Sequence, residues 1–351
     1  MIDTSFRAML LYAARAASGA TIALLIAMSL GLDEPHWAAW TVISVSLPAS
    51  GDAFQKSLYR MLGTLVGAVA AFLLVIGSLG AHALLICLLS AWLITCVYIG
   101  LRLQPAAGYA AVLAGYGAVV VAIASVDANG GIHELALLSA TRFAAIAIGV
   151  ITSIILLATT EMTPPQWCAI AGDVFNLGST WRVFATCAEE QHKRALFGAL
   201  RAGACLQLAG MAWLSIHWEG GGLLVSFTGI TAGLFSIRAN PKGATIHFMC
   251  AAVAGALSAL MLHRWLELLS TAPLALPIAQ GVLAFTAVLL AAIFGNGFFA
   301  SCYCLVLFVL ADPQTFAVSD RASLAAKGAG ILVGSGIALL GYLVERNKRR
   351  Q

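Results

Sequence analysis

Twelve apolar stretches follow one another along the chain, near residues 12–31, 36–50, 61–79, 81–100, 107–126, 140–160, 196–216, 221–237, 243–262, 274–294, 296–311 and 325–344. No other feature narrows the possible folds so far. In lipid every backbone N–H and C=O must find its partner within the protein, so stretches of this kind are expected as helices. A helix needs about 20 residues to cross the hydrocarbon core, and most of the stretches qualify. Charged residues make up 10% of the chain, against roughly 25% in a soluble domain. The expected fold class is an all-α polytopic membrane protein of about twelve transmembrane helices in a lipid bilayer. The first stretch is too long and too alanine-rich for a cleaved signal peptide.

The sequence also repeats itself at an offset of about 186 residues. Arg15 opens Ala16-Ala17-Ser18-Gly19-Ala20, and Arg201 opens Ala202-Gly203-Ala204-Cys205-Leu206. Glu34 aligns with Glu219, Gly67 with Gly255, Tyr116 with Tyr303, Arg142 with Lys327 and Gly149 with Gly334. This divides the chain into a first six-helix repeat over 1–160, a cytoplasmic linker over 161–195, and a second six-helix repeat over 196–351 that ends in a short basic tail. The linker carries Pro164-Pro165 and mixed charges, and one short interfacial helix is expected near 181–188. An even number of spans per repeat makes the two repeats parallel, related by an axis along the membrane normal.

Lys and Arg mark the cytoplasmic side. With the N-terminus inside, fifteen of the 19 basic residues fall in the cytoplasm, and only Arg142, Arg264, Arg321 and Lys327 fall outside. Both termini are therefore expected in the cytoplasm. The net charge of +4 reports this topology and implies no nucleic-acid partner. The eight Cys form no C-x-x-C pair and read as small apolar residues. G-x-x-x-x-G-K-[ST], H-E-x-x-H and G-x-S-x-G are all missing, so nothing points to an enzyme, a metal or a cofactor.

Several residues remain as candidates for chemistry. The second and eighth stretches are short and are bounded by Pro35 and Pro48 or by Gly220-Gly221-Gly222. Paired short helices are the best sequence pointer to a transporter binding site. Their Thr41, Ser44, Ser46, Ser226, Thr228 and Thr231 either face a cavity or bond to carbonyls one turn back. Glu34 and Glu219, with His36 and His217 beside them, sit at the outer ends of spans one and seven. They suit proton relay, or are plain loop residues. Arg142 and Lys327 precede matched glycines at the start of each repeat's last helix. They either line a path for an anion, or snorkel, or pair with Asp127 or Asp312. Arg15 and Arg201 are a matched pair at the inner side, explained by topology or by an anion-attracting vestibule that would also hold Arg60 and Arg238. Trp37, Trp40, Tyr109, Tyr116, Tyr303 and Phe316 either stack on a ring or serve interfacial belts and packing, and of these only Tyr116 and Tyr303 are matched between the repeats. Gly63 with Gly67, and Gly330 with Gly334, have the spacing of close helix contacts.

Six segments together resemble the fusaric acid resistance and aromatic acid exporter family, in particular the inner-membrane subunits of p-hydroxybenzoic acid efflux pumps. They are Asp33-Glu34-Pro35-His36-Trp37-Ala38, Arg60-Met61-Leu62-Gly63-Thr64-Leu65-Val66-Gly67, Ala114-Gly115-Tyr116, Arg142 to Gly149, Arg238-Ala239-Asn240-Pro241 and Asp312-Pro313-Gln314-Thr315-Phe316. The resemblance implies proton-driven export of aromatic carboxylates across a bacterial inner membrane, often with a periplasmic adaptor protein. The chain also looks like a relative of plant malate-transporting anion channels, whose pores are lined by cations. Long members carry a large cytoplasmic domain between the halves and another after the second, where this chain has residues 161–195 and a short tail. An uncoupled organic-anion channel and a non-transporting scaffold for envelope assembly stand as the rival readings. Assembly as a homo-oligomer is open in the sequence.

Overall fold

The computed structural model describes residues 2–46, 50–103, 105–127, 132–160, 189–216, 218–269, 274–316 and 319–348. Among them the chain forms twelve α-helices and no strand. The first repeat supplies α1 (Ile2–Ser29), α2 (His36–Val45), α3 (Ser50–Gly77), α4 (His82–Arg102), α5 (Pro105–Asp127) and α6 (Ile132–Thr160). The second supplies α7 (Glu189–Ser215), α8 (Gly221–Leu234), α9 (Pro241–Leu269), α10 (Ala275–Phe294), α11 (Gly297–Leu310) and α12 (Arg321–Lys348). A 3₁₀ turn over Phe235–Ile237 prolongs α8. The chain is an all-α polytopic membrane protein, and each apolar stretch of the sequence coincides with one helix. The interfacial helix expected near 181–188 lies outside the described residues. Helix α7 starts at Glu189, so the last part of the segment read as linker is helical.

Local chemistry sets several of these boundaries. Pro105 and Pro241 open α5 and α9, where a missing N–H costs nothing. Gly295 closes α10 in the left-handed conformation at φ +70°, and the next residue, Asn296, caps α11 by accepting from the Phe299 N–H. Among the described residues, nine helices are long and apolar enough to cross a membrane. Helices α2, α8 and α11, of 10, 14 and 14 residues, are not. At 1.5 Å per residue they span about 15–21 Å, short of the ~30 Å hydrocarbon core.

Protein encloses α2 and α8. Every residue of α2 is buried, and so is nearly all of α8. Their exposed carbonyls at the C-terminal end meet side chains. Lys56 donates to the Ser44 carbonyl, and the Tyr12 hydroxyl donates to that of Ser46 at 3.0 Å. On α8, the Tyr342 hydroxyl donates to Thr231 at 3.0 Å and Ala232 at 3.2 Å. Short helices survive at membrane depth only when their ends are satisfied in this way.

The chain condenses into two compact units that cut across the repeats. The first takes α1, α2, most of α6, most of α9, α10 and α11; the second takes α3 from Leu58, α4, α5, α7, α8 and α12 from Ala329. In the first unit α1 packs on α2 and α10, and α11 packs on the same two. In the second α7 packs on α8 and α4, and α5 packs on the same two. By the repeat, α7 corresponds to α1, α8 to α2, α4 to α10 and α5 to α11. Each unit is therefore the same four-helix ring, built from one half of each repeat.

Glycine lets a further helix press onto each ring. A Cβ at Gly149 would lie 2.5 Å from the Ala38 carbonyl oxygen, and one at Gly334 would lie 2.3 Å from that of Leu224. The bare backbones of α6 and α12 thus touch α2 and α8 directly. In the second unit a Cβ at Gly63 would lie 2.6 Å from the Ala110 carbonyl oxygen, so the Gly63/Gly67 pair packs α3 on α5.

Candidate functional site

The chain between α1 and α2 turns through Glu34, whose φ of +54° is a left-handed conformation that a side chain of its size rarely adopts. The turn aims its carboxylate at Arg142, in the third turn of α6. Arg142 donates from Nε to Glu34 Oε2 at 3.1 Å and from Nη2 to the same oxygen. The arginine is only 4% exposed, whereas the Glu34 side chain is 28% exposed. The other face of the guanidinium lies over the Trp37 ring, 4.6 Å from its centroid. A cation held between a carboxylate and an indole face is strongly stabilised where water is scarce. Trp37 meets Trp40 edge-on at 5.6 Å, and Trp40 Nε1 donates to the Ser301 carbonyl at 3.3 Å. Trp37 Nε1 is buried with no acceptor among the described residues.

One residue before Trp37, at the first position of α2, His36 pairs through Nδ1 with Asp312. Both groups are buried. Asp312 lies in the connection after α11 and also accepts from the Gln314 N–H at 2.9 Å. Burial alone would push its carboxyl up. The His36 charge and hydrogen bond, with backbone N–H groups of Gln314 and Thr315, hold it below the ordinary aspartate value instead. The same connection is tied down by Gln314, which donates to the Leu32 carbonyl at 2.7 Å, and by Gln280 of α10, which donates to Ala311 at 2.6 Å. An Arg–Glu ion pair, a His–Asp pair and two indoles therefore share one end of the first unit.

The structure brings together Glu34, His36, Trp37, Trp40 and Arg142, which the sequence had offered as separate candidates. It also corrects their pairing. Arg142 lies ten residues inside α6 rather than at its start, because the stretch from Ile132 is already helical. Its partner is Glu34, not Asp127 or Asp312. Lys327, half-buried, donates to Ser319 Oγ at 3.4 Å. Among the described residues, the stacking of its repeat partner on an indole has no counterpart there. Tyr303 donates to Ser258 Oγ at 2.9 Å and is buried with its ring among helices. Arg15 is half-buried, 5.9 Å from the Tyr12 ring centroid.

The remaining candidates belong to the second unit. Glu219 is exposed, and His217 lies outside the described residues. Arg201 stacks on Tyr342 at 4.1 Å and donates to Ser236 Oγ at 2.9 Å, beside the C-terminal end of α8. Tyr116 is buried within electrostatic reach of Arg60 and Tyr109. Arg60 is 1% exposed and donates to the Tyr109 hydroxyl at 2.9 Å, so it is an interior cation. Most of the hydroxyls on the short helices bond back one turn: Ser44 to Thr41, Ser46 to Val42, Thr228 to Leu224 and Thr231 to Phe227. No cluster of metal-ligating residues occurs among the described residues.

Asp312 was readable only as a possible partner for a cation. A stronger signal was present: it aligns with Asp127 at the same offset as Arg142 with Lys327.

The fusaric acid resistance protein family matches the chain twice, over residues 9–171 and 168–350. The uncharacterized transporter YdhK of Escherichia coli (strain K12) is 38% identical over 116 residues, which is 33% of this chain and 17% of that protein. The p-hydroxybenzoic acid efflux pump subunit AaeB of Erwinia billingiae is 32% identical over 143 residues, 38% of this chain and 22% of its own length. The AaeB subunit of Pantoea ananatis is 28% identical over 142 residues, again 38% of this chain and 22% of its own. These matches span less than a quarter of the relatives' length. No solved structure matches the chain. Two successive matches that cover nearly every residue, on a twelve-helix membrane fold, make this chain a member of the fusaric acid resistance protein family.

Proposed function

We propose that the chain exports aromatic or other amphipathic carboxylic acids across a bacterial inner membrane, driven by the proton-motive force. The observation that carries this reading is Arg142, a buried cation stacked on Trp37 and facing a carboxylate. A planar guanidinium above an indole, with the Trp40 indole edge-on beside it, suits a ligand that has one carboxylate and one ring. The relatives named as p-hydroxybenzoic acid efflux pump subunits support the same substrate class. Export of the anion is favourable down the membrane potential by about 2.3 kcal/mol per charge per 100 mV. Proton antiport adds to that drive, and the buried His36–Asp312 pair supplies a titratable couple beside the cation. Both termini and the segment 161–195 are assigned to the cytoplasm on the distribution of Lys and Arg. A periplasmic adaptor is the expected partner, since the relatives are pump subunits.

Reconstitution in proteoliposomes tests the reading. A pH gradient should accelerate p-hydroxybenzoate flux above the rate that the membrane potential alone sustains. Flux that follows the potential and ignores the pH gradient would mean an uncoupled anion channel. No flux under either gradient would leave a scaffold role. A cysteine label at Glu189 should react from the cytoplasmic side only; reaction from the periplasm in intact cells overturns the topology.

A further inference from the structure

Three features of the Glu34–Arg142 pair do not belong to an ordinary structural ion pair. First, the two partners are unequally placed: Arg142 is fixed between α6 and the Trp37 ring, while Glu34 sits on a loop with its carboxylate partly in water. Second, Glu34 reaches the arginine only from a left-handed backbone, a conformation that persists when surrounding contacts enforce it. Third, both arginine donors converge on one oxygen, Oε2. A carboxylate free to choose its approach makes two parallel bonds to a guanidinium, which is the stronger arrangement. The Trp37 indole N–H adds a buried donor with no acceptor among the described residues.

We propose that Glu34 is a resident competitor. Its carboxylate holds the place on Arg142 that the carboxylate of an arriving aromatic anion takes, and Glu34 swings to water when the anion binds. The proposal rests on the export reading for its substrate class and adds the residue that loads and unloads the site. It follows from the cost of a bare buried cation. Arg142 cannot stay without an anion, so each exchange trades one carboxylate for another and the guanidinium is never left unpaired. The anion gains the two-oxygen geometry, and Glu34 regains hydration and an unstrained backbone. Return of Glu34 to Arg142 then expels the anion.

Benzoate binding to the purified full-length chain, followed with radiolabelled ligand, tests the exchange. Glu34→Gln should tighten benzoate binding by about tenfold, because a neutral amide competes poorly for a guanidinium. Glu34→Asp, with a shorter reach, should tighten it less. Arg142→Gln should abolish the binding, and benzamide, which lacks the charge, should show no gain in Glu34→Gln. In the wild-type chain, bound benzoate should increase labelling of Glu34 by a water-soluble carbodiimide, a readout that needs no variant. Unchanged or weaker benzoate binding in Glu34→Gln, or a benzoate-dependent fall in Glu34 labelling, overturns the exchange. Failure of the export reading looks different: affinity and labelling change as expected, but wild-type proteoliposomes move no benzoate.

Discussion

At the N-terminal end of α2, in the first ring, His36 holds the carboxylate of Asp312, and both are buried. At the corresponding end of α8, in the second ring, the matched acid is Asp127, and it lies against Gly222. The space that a Cβ would need at Gly222 lies 1.8 Å from Asp127 Oδ2. The carboxylate therefore rests against the bare start of a helix, where the partial positive charge of unpaired N–H groups favours an anion. Asp127 itself is exposed. The same acid, in the same ring, is thus a buried partner of a titratable imidazole in one unit and a solvated helix-end anion in the other.

That contrast separates scaffold from chemistry. Both rings keep the four-helix circuit, the short enclosed helix and the glycine contact through Gly149 or Gly334. Among the described residues, only the first shows a buried histidine–aspartate pair and a buried arginine stacked on an indole at the mouth of its short helix. The two rings share their packing and differ in the polar groups at the helix mouth.

The largest expected difference lies between the matched cations. Arg142→Gln removes the stacked, buried guanidinium and should lower aromatic acid flux by more than about tenfold. Lys327→Gln removes a half-buried amine bonded to Ser319 and should change flux within about twofold. Equal losses in the two variants, at equal membrane abundance, would restore the symmetric cationic path.

Next come the matched glycines, where the rings should behave alike. Gly149→Ala and Gly334→Ala each press a methyl into a backbone carbonyl and should each cost about 2 kcal/mol, read as a lower Tm in detergent. A variant pair in which only one glycine is sensitive would break the equivalence of the rings.

The acids should differ again, and by pH. The Asp312 carboxyl titrates below its ordinary value of about 3.9, so the stability it contributes is complete above that pH and is lost as pH falls through the folded value. Asp312→Asn should therefore cost about 1–2 kcal/mol at neutral pH, and the cost should shrink as pH falls below about 4 and on through the lower folded value, where the wild-type chain loses the same contribution. Thermal melts across pH 3–7 check this. Asp127→Asn should show a smaller loss at neutral pH, because its carboxylate is solvated.

The smallest effect concerns the far end of the short helices. Tyr342→Phe removes the hydroxyl that meets the Thr231 and Ala232 carbonyls and should cost about 1 kcal/mol. The matched position in the first repeat is Leu157, so α2 relies on Tyr12 and Lys56 instead, and Tyr12→Phe should cost a similar amount. A Tyr342→Phe chain as stable as the wild type would mean that water reaches these carbonyls.

Sequence by itself determined the helices and their number, because a run of apolar residues in lipid has no other way to pair its backbone. It also marked α2 and α8 as short, since Pro35 and Gly220-Gly221-Gly222 interrupt the pattern at matched places, and it singled out Glu34, His36, Trp37, Trp40 and Arg142 one by one. Only the tertiary structure decided which of them meet. Arg142 is 108 residues from Glu34, and Asp312 is 276 from His36, distances over which periodicity carries no information. The matched residues also parted company, although each ring draws α1 and α2, or α7 and α8, from one repeat and the two helices that face them from the other, so that the rings are equivalent helix for helix. The difference lies in the side chains they present: at the repeat offset, Gly222 stands where the first repeat has Trp37. Arg142 thereby came to lie over Trp37, whereas Lys327 came to lie beside Ser319.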